Sequence, residues 1–163
     1  MKKVFLGLGA NLGNREENLK NAVVLIREHI GPVKHSSSIY ETEPWGFQSK
    51  NYFLNMVVEV ETSLRPSGLL GRILMIESLM GRVREGREYK SRTLDIDILL
   101  YGSRVITTRV LQIPHPLMNE RKFVLVPLTE IAGEFLHPVL KKSIQELLDE
   151  CPDNCRVKKF RKL

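Results

Sequence analysis

Apolar positions recur along this chain with two periods, and their succession lays out the fold. Val4 to Leu8 is a short apolar run of the buried-strand type. Asn14 with Glu17 three residues on resembles a capping box, and it opens a helix whose Leu19, Ala22, Val23, Ile26 and Ile30 share one stripe. Gly31-Pro32 stops that helix, and Ser36 to Thr42 and Tyr52 to Glu61 follow as a second and a third strand. In the third, Leu54, Met56, Val58 and Val60 face one way and Phe53, Asn55, Val57 and Glu59 the other, so an aromatic ring and an amide share a surface. Pro66 suits the first turn of a second helix with Leu69, Ile73, Ile76 and Met80 on its buried stripe and Gly81 at its end. The run Arg92-Thr-Leu-Asp-Ile-Asp-Ile-Leu-Leu-Tyr101 is then a fourth strand, with Leu94, Ile96, Ile98 and Leu100 on one face and Asp95, Asp97, Leu99 and Tyr101 on the other.

Strand, helix, strand, strand, helix, strand is the split βαβ order. It predicts an α+β fold with a ferredoxin-like βαββαβ core, an antiparallel sheet with helices on one face and the other face open to carry a site. Beyond residue 102 the pattern is irregular. Val110 to Ile113 reads as strand, Pro114-His115-Pro116 as a rigid corner, and Ser143 with Glu146 as the start of a last short helix, a C-terminal strand/helix appendage closing one side. The basic run Arg156 to Leu163 reads as a solvated tail. With no internal repeat and no Pro/Gly/Ser linker, residues 1–163 are expected to form a single domain.

The fourth strand carries the candidate chemistry. Asp95 and Asp97 lie on one face with Cα atoms roughly 6.5 Å apart. Two like charges that close on a half-buried strand repel unless they converge on a hard cation, for which Mg²⁺ is the natural choice. Residues 81 to 92, just upstream, hold five basic and two acidic side chains, two glycines and no apolar period, which predicts a cationic loop. Arginine forks pair with phosphate oxygens, and Mg²⁺ held by one or two carboxylates completes its shell with phosphate and water. Acids and arginines together describe a nucleoside triphosphate site.

Composition changes this picture little. At 163 residues and 42% apolar the chain has material for a proper core. The apolar run after Lys2-Lys3 is too short for a signal peptide, which predicts a cytoplasmic protein with no membrane partner. A net charge of +6 favours an anionic partner, and a metabolite triphosphate meets that as well as a nucleic acid does. Cys151 and Cys155 have no second Cys/His pair nearby and read as plain thiols.

Six motifs in order and at matching spacing make the chain similar to the 6-hydroxymethyl-7,8-dihydropterin pyrophosphokinase family of folate biosynthesis. They are Gly7-Leu-Gly-Ala-Asn-Leu-Gly-Asn-Arg15, Tyr40-Glu-Thr-Glu-Pro-Trp-Gly46, Phe53-Leu-Asn55, Glu77 through Gly81-Arg-Val-Arg84, Arg92-Thr-Leu-Asp-Ile-Asp-Ile98 and Pro114-His115-Pro116. The resemblance implies transfer of the terminal diphosphate of ATP to the pterin's hydroxymethyl oxygen, with release of AMP. It implies that Asp95 and Asp97 hold two Mg²⁺ ions and that Arg82 and Arg92 belong to a loop closing over the triphosphate, these four being the catalytic set. His115 and Arg121 match phosphate contacts, and Glu77, Arg84 and Ile98 match nucleotide-side contacts. On the pterin side, Asn55 meets the ring edge, Phe53 and Phe123 sandwich the ring, and the backbone of Thr42, Glu43, Pro44 and Trp45 completes recognition. Small-molecule substrates, no nucleic acid and a monomeric enzyme are what the resemblance implies about partners.

The chain departs from the family at Tyr89, Lys90 and Ser91, where tryptophan and Gly-Pro are usual, at Phe53 for a frequent tyrosine, and at Pro116 for an occasional aromatic residue. Stacking needs only a ring face, so Phe53 serves as tyrosine would. The glycines of Gly7-x-Gly9 are read as turn geometry and close packing, because the third glycine falls at Gly13 and no dinucleotide fingerprint results. Read without the resemblance, the residues also allow an RNA-binding sheet, a metal-dependent nuclease or nucleotidyltransferase, or a ligand-binding regulatory domain.

Overall fold

A computed structural model of the chain describes residues 1–42, 52–81 and 93–163. Residues 43–51 and 82–92 lie outside that description, and with them Glu43, Pro44, Trp45, Arg82, Arg84 and Arg92. The elements are β1 (Lys2–Ala10), α1 (Arg15–His29), β2 (Val33–Ser36), β3 (Ile39–Thr42), β4 (Phe53–Thr62), α2 (Pro66–Leu79), β5 (Asp95–Tyr101), β6 (Ile106–Thr107), β7 (Gln112–Ile113), α3 (Lys122–Ala132), α4 (Ile144–Asp149) and β8 (Val157–Arg161). The main sheet runs β5-β1-β4-β3-β8 with β2 also paired to β4, and every pairing in it is antiparallel. This is the expected βαββαβ core. Among the described residues no helix is long and apolar enough to cross a membrane.

Local chemistry explains the first elements. The Asn14 side chain accepts from Glu17 N–H at 3.1 Å, acids occupy the first turn of α1 and basic residues its last, which suits the helix dipole. Leu19, Ala22, Val23 and Ile26 of α1 and Leu69, Ile73 and Ile76 of α2 pack on Val4, Leu6, Leu8, Leu54, Met56, Val58 and Ile96, the first of two cores. Pro66 stands at the first turn of α2, and Gly81, with φ +85°, follows its end.

The expected strand from Ser36 to Thr42 is two strands. Between them the Ser37 hydroxyl accepts from Val57 N–H at 2.9 Å and donates to the Ser38 carbonyl at 2.8 Å, while Ser37 N–H reaches Val57 O at 2.9 Å. A side chain here takes the place of a ladder group, so the ladder breaks without leaving a buried amide unpaired. Ser38 donates from N–H and Oγ to Glu130 Oε2 at 2.9 and 3.1 Å, and the Tyr40 hydroxyl donates to Glu130 Oε1 at 2.6 Å. Burial, then the Glu130 carboxylate, pushes that hydroxyl up to about 12. Burial opposes the charge on Glu130, but the hydrogen bonds from Tyr40 and Ser38 hold its carboxyl below the ordinary value. Glu130 therefore fastens α3 to β3.

The face left open by α1 and α2 is partly covered by the C-terminal segment. Phe5, Val57, Leu99 and Leu100 form a second core with Val124, Leu125 and Leu128 of α3 and Ile144 and Leu147 of α4. Phe5 is 1% exposed and meets Phe135 edge-on at 5.3 Å between centroids. A sheet that read RNA would need such aromatics exposed on its central strands.

One alternation fails. Phe5 pairs with Leu100 but Leu6 with Ile98, so Leu99 is the extra residue of a β-bulge. Leu100 therefore joins Leu99 in the second core and Tyr101 enters the first, its hydroxyl on Leu64 O at 2.6 Å, the reverse of the strict alternation expected for these two. The Leu99 carbonyl accepts His115 N–H at 3.0 Å, so the bulge ties the Pro114 to Pro116 corner to β5. The Ile113–Pro114 bond is cis. The strand expected over Val110 to Ile113 is only Gln112–Ile113, paired with β6. The basic tail is not simply solvated, because Val157 to Arg161 pair with β3 as an edge strand.

Candidate active site

Strand register assembles the site at one end of the sheet. Asn55 on β4 lies opposite Gly9 on β1, and Gly9 lies opposite Asp95 on β5, so the three form a row across the strands, extended by Tyr40 on β3. Val57, Gly7 and Asp97 form the next row that points the same way. Thr42 faces Phe53 at the sheet end. Thr42, Phe53, Asn55, Asp95 and Asp97 thus share the face on which α3 packs, so the two strand faces that alternation gave to Phe53 and Asn55 and to Asp95 and Asp97 coincide. At two strand spacings, Asn55 and Asp95 are about 10 Å apart.

Gly9 joins the two halves, and of the two roles expected for it close packing holds while turn geometry does not. It sits inside β1 and not in a turn, and a Cβ there would lie 2.9 Å from Asn55 Oδ1 and 3.6 Å from Phe53 Cδ1. Glycine inside a strand marks close approach of other groups. The buried Asn55 Nδ2 donates to Thr42 Oγ1 at 2.7 Å, which fixes the amide plane and leaves its Oδ1 over Gly9. Gly9→Ala is therefore expected to displace the Asn55 amide and, if that amide meets a pterin as the resemblance implies, to raise the pterin's dissociation constant about tenfold, the cost of a lost buried polar contact. Fluorescence titration checks this, and unchanged affinity would count against the row.

The other half gathers His115 and Arg121 near Asp95. His115 Nδ1 accepts Leu117 N–H at 3.2 Å, so the neutral ring carries its proton on Nε2. Burial, then the Arg121 charge, lowers its pKa to about 4 against a smaller opposing pull from Asp95. A neutral Nε2–H is a hydrogen-bond donor that keeps its form across neutral pH. Because the unfolded ring titrates near 6.5, the unfolded chain binds the proton more readily, so the stability His115 contributes is complete above about pH 6.5 and lost towards about pH 4. His137, its ring lowered by burial, adds to the same decline. Denaturant midpoints in EDTA are expected to fall less steeply over that window in His115→Asn than in the wild type. Parallel curves would contradict the buried neutral ring.

Arg121 is buried just before α3, its guanidinium 5.8 Å from the centroid of Phe123 in the first turn of that helix. One short stretch thus carries both a buried guanidinium and an aromatic ring. Glu77 and Ile98 are not brought to this face. Glu77, 3% exposed on α2, accepts Ile96 N–H at 2.9 Å and so holds the backbone between the two acids, while Ile98, 7% exposed, packs in the first core. That bond points away from β1. Two residues on, the backbone of Ile98 faces the same outer edge of β5, the terminal strand of the sheet.

Asp95 and Asp97, half-exposed on one face, suit a hard cation that takes few protein oxygens and completes its shell from phosphate and water. Among the described residues no group of three or more His, Cys, Asp or Glu is clustered as a fully protein-built metal cage would be.

Comparison with known proteins bears on this geometry. Residues 5–133 match the model of the 7,8-dihydro-6-hydroxymethylpterin-pyrophosphokinase family. The 2-amino-4-hydroxy-6-hydroxymethyldihydropteridine pyrophosphokinase of Bacillus subtilis (strain 168) is 48% identical over 131 residues, 80% of this chain and 78% of that protein. The protein of the same name from Aquifex aeolicus (strain VF5) is 39% identical over 150 residues, 92% of each. Among solved structures, Plasmodium falciparum HPPK-DHPS wild type with SDX-DHP superposes with a TM-score of 0.74 at 19% identity over 92% of this chain, which spans 43% of that longer one. That last likeness is one of fold. With a family match covering most of the chain and two relatives aligned over most of their own length, the chain belongs to the 7,8-dihydro-6-hydroxymethylpterin pyrophosphokinase family.

Proposed function

We propose that the face holding Asn55, Gly9 and Asp95 carries the family's reaction, with the pterin at the Asn55 end and the triphosphate at the Asp95 end. The enzyme transfers diphosphate from ATP to 6-hydroxymethyl-7,8-dihydropterin in folate biosynthesis. The pterin hydroxyl oxygen forms a bond to the β-phosphorus, the bridging bond to the α-phosphate breaks, AMP departs with the electron pair, and the hydroxyl proton passes to solvent. The observation that carries this reading is the register row, because it sets an amide for the ring edge and an acid for the metal-bound phosphate about 10 Å apart on one face.

Each side chain then has a task. The Asn55 amide matches the donor and acceptor edge of the pterin, Phe53 and Phe123 stack on the ring, and Thr42 orients Asn55. His115 donates from Nε2 to a phosphate oxygen, and Arg121 supplies charge next to it. Ile98 meets the nucleotide through its backbone. Asp95 and Asp97 hold Mg²⁺, which when bound neutralises charge on the transferring phosphates. On the same reading Arg82, Arg84 and Arg92 meet the nucleotide and Glu43, Pro44 and Trp45 the pterin, the roles implied by the motifs they belong to. Incubation with ATP, Mg²⁺ and the hydroxymethylpterin is expected to give AMP and pterin diphosphate one to one. ADP with pterin monophosphate, or no dependence on Mg²⁺, would refute the proposal.

A further inference from the structure

The helix that delivers Arg121 and Phe123 has no cap of its own. The residue at its N-cap position is Arg121, in an extended conformation, with no side-chain hydrogen bond to the first turn. The missing acceptor comes from the far end of the chain, where Asp153 Oδ2 accepts Lys122 N–H at 3.0 Å. Its other oxygen accepts Cys155 N–H at 2.9 Å, so the carboxylate is held at both atoms. The surrounding segment is anchored on both sides, by α4 before it and by the pairing of β8 with β3 after it.

We propose that Asp153 is a positioning residue for the transfer reaction, capping α3 so that Arg121 and Phe123 stand ready over the sheet. This rests on the reading that those two residues meet the substrates. A carboxylate at a helix N-terminus satisfies an exposed donor and complements the dipole. Burial opposes its charge, yet the backbone hydrogen bonds from Cys155 and Lys122 hold the Asp153 carboxyl below its ordinary value. The rest of α3 is secured otherwise, by buried Val124, Leu125 and Leu128 and by Glu130 on Ser38 and Tyr40. Loss of the cap therefore loosens the first turn selectively, where both substrate-facing residues lie. Asp153 lies beyond the matched family residues 5–133.

The population with a formed first turn sets the apparent affinity, so Asp153→Ala is expected to raise the KM for the pterin about fivefold and to lower kcat. Asp153→Asn keeps an oxygen able to accept Lys122 N–H and is expected to restore most of the loss. Ser143→Ala removes the cap of α4, where the Ser143 hydroxyl accepts Glu146 N–H at 3.1 Å, and should lower Tm without moving KM. Should Asp153→Ala not fold, Asp153→Ser, whose hydroxyl lacks the reach, takes its place. Unchanged KM and kcat in Asp153→Ala, or an equal rise in KM in Ser143→Ala, overturns the inference. Phe123→Ala and Arg121→Ala test the underlying reading separately: if neither alters KM or kcat, it is that reading which fails.

Discussion

Asp95→Ala and Asp97→Ala are each expected to lower the transfer rate at least about a thousandfold, close to 4 kcal/mol of barrier, while pterin affinity changes less than about threefold. The asymmetry follows from the sheet. Both acids are on β5, and β1, with glycine at each facing position, separates them from Asn55 on β4. On the proposed function the acids act on the triphosphate, and their loss leaves the ring pocket intact. Both side chains are half-exposed and outside the two cores, so the variants should fold. Single-turnover kinetics gives the rate and pterin titration the affinity. Near-normal transfer in either variant would remove the acid from the site, and a parallel collapse of pterin binding would mean that the two halves are not separate.

Gly31→Ala is expected to be the most destabilising of the single-methyl additions, costing about 4 kcal/mol or more. A Cβ at Gly31 would lie 2.0 Å from the carbonyl oxygen of Glu61, a backbone atom that no rotamer change can move. Neither side can retreat, because Glu61 N–H donates to Pro32 O at 3.1 Å and the Thr62 hydroxyl donates to Ile30 O at 2.8 Å. The α1 to β2 junction is thereby pressed on the end of β4. Gly81 and Gly102 have positive φ but open space where a Cβ would go, so alanine there should cost only about 1 kcal/mol of backbone strain. Denaturant midpoints rank the three. A Gly31→Ala protein as stable as Gly81→Ala would show that the junction yields.

The legible parts of the sequence are those whose pattern is local. Stripes of Leu19 to Ile26 and Leu69 to Ile76 fixed α1 and α2, and alternation from Phe53 to Glu59 fixed which face carries Asn55. What escaped depends on partners distant in sequence. Helix α3 contains Pro127 and starts on Arg121-Lys122, with its cap supplied by Asp153. The Ser37 break needs Val57, the exchange of faces at Leu100 and Tyr101 needs the bulge against Phe5, and β8 is polar on both faces and becomes a strand only beside β3. Gly9 was legible as a glycine but not as a gap between an amide and an acid, because that meaning exists only once β1 lies between β4 and β5.

On the proposed function, Asp95 and Asp97 hold the metal through which nucleotide binds this face of the sheet. Calorimetric titration with a non-hydrolysable ATP analogue, then with the pterin, tests it most directly, with Mg²⁺ and with EDTA, in the wild type and in an Asp95→Asn/Asp97→Asn protein. Nucleotide binding should require Mg²⁺ in the wild type and gain nothing from Mg²⁺ in the double variant, and the pterin should bind the Mg²⁺–nucleotide complex of the wild type. Equal nucleotide affinity in Mg²⁺ and EDTA, or the same gain from Mg²⁺ in both proteins, would contradict it.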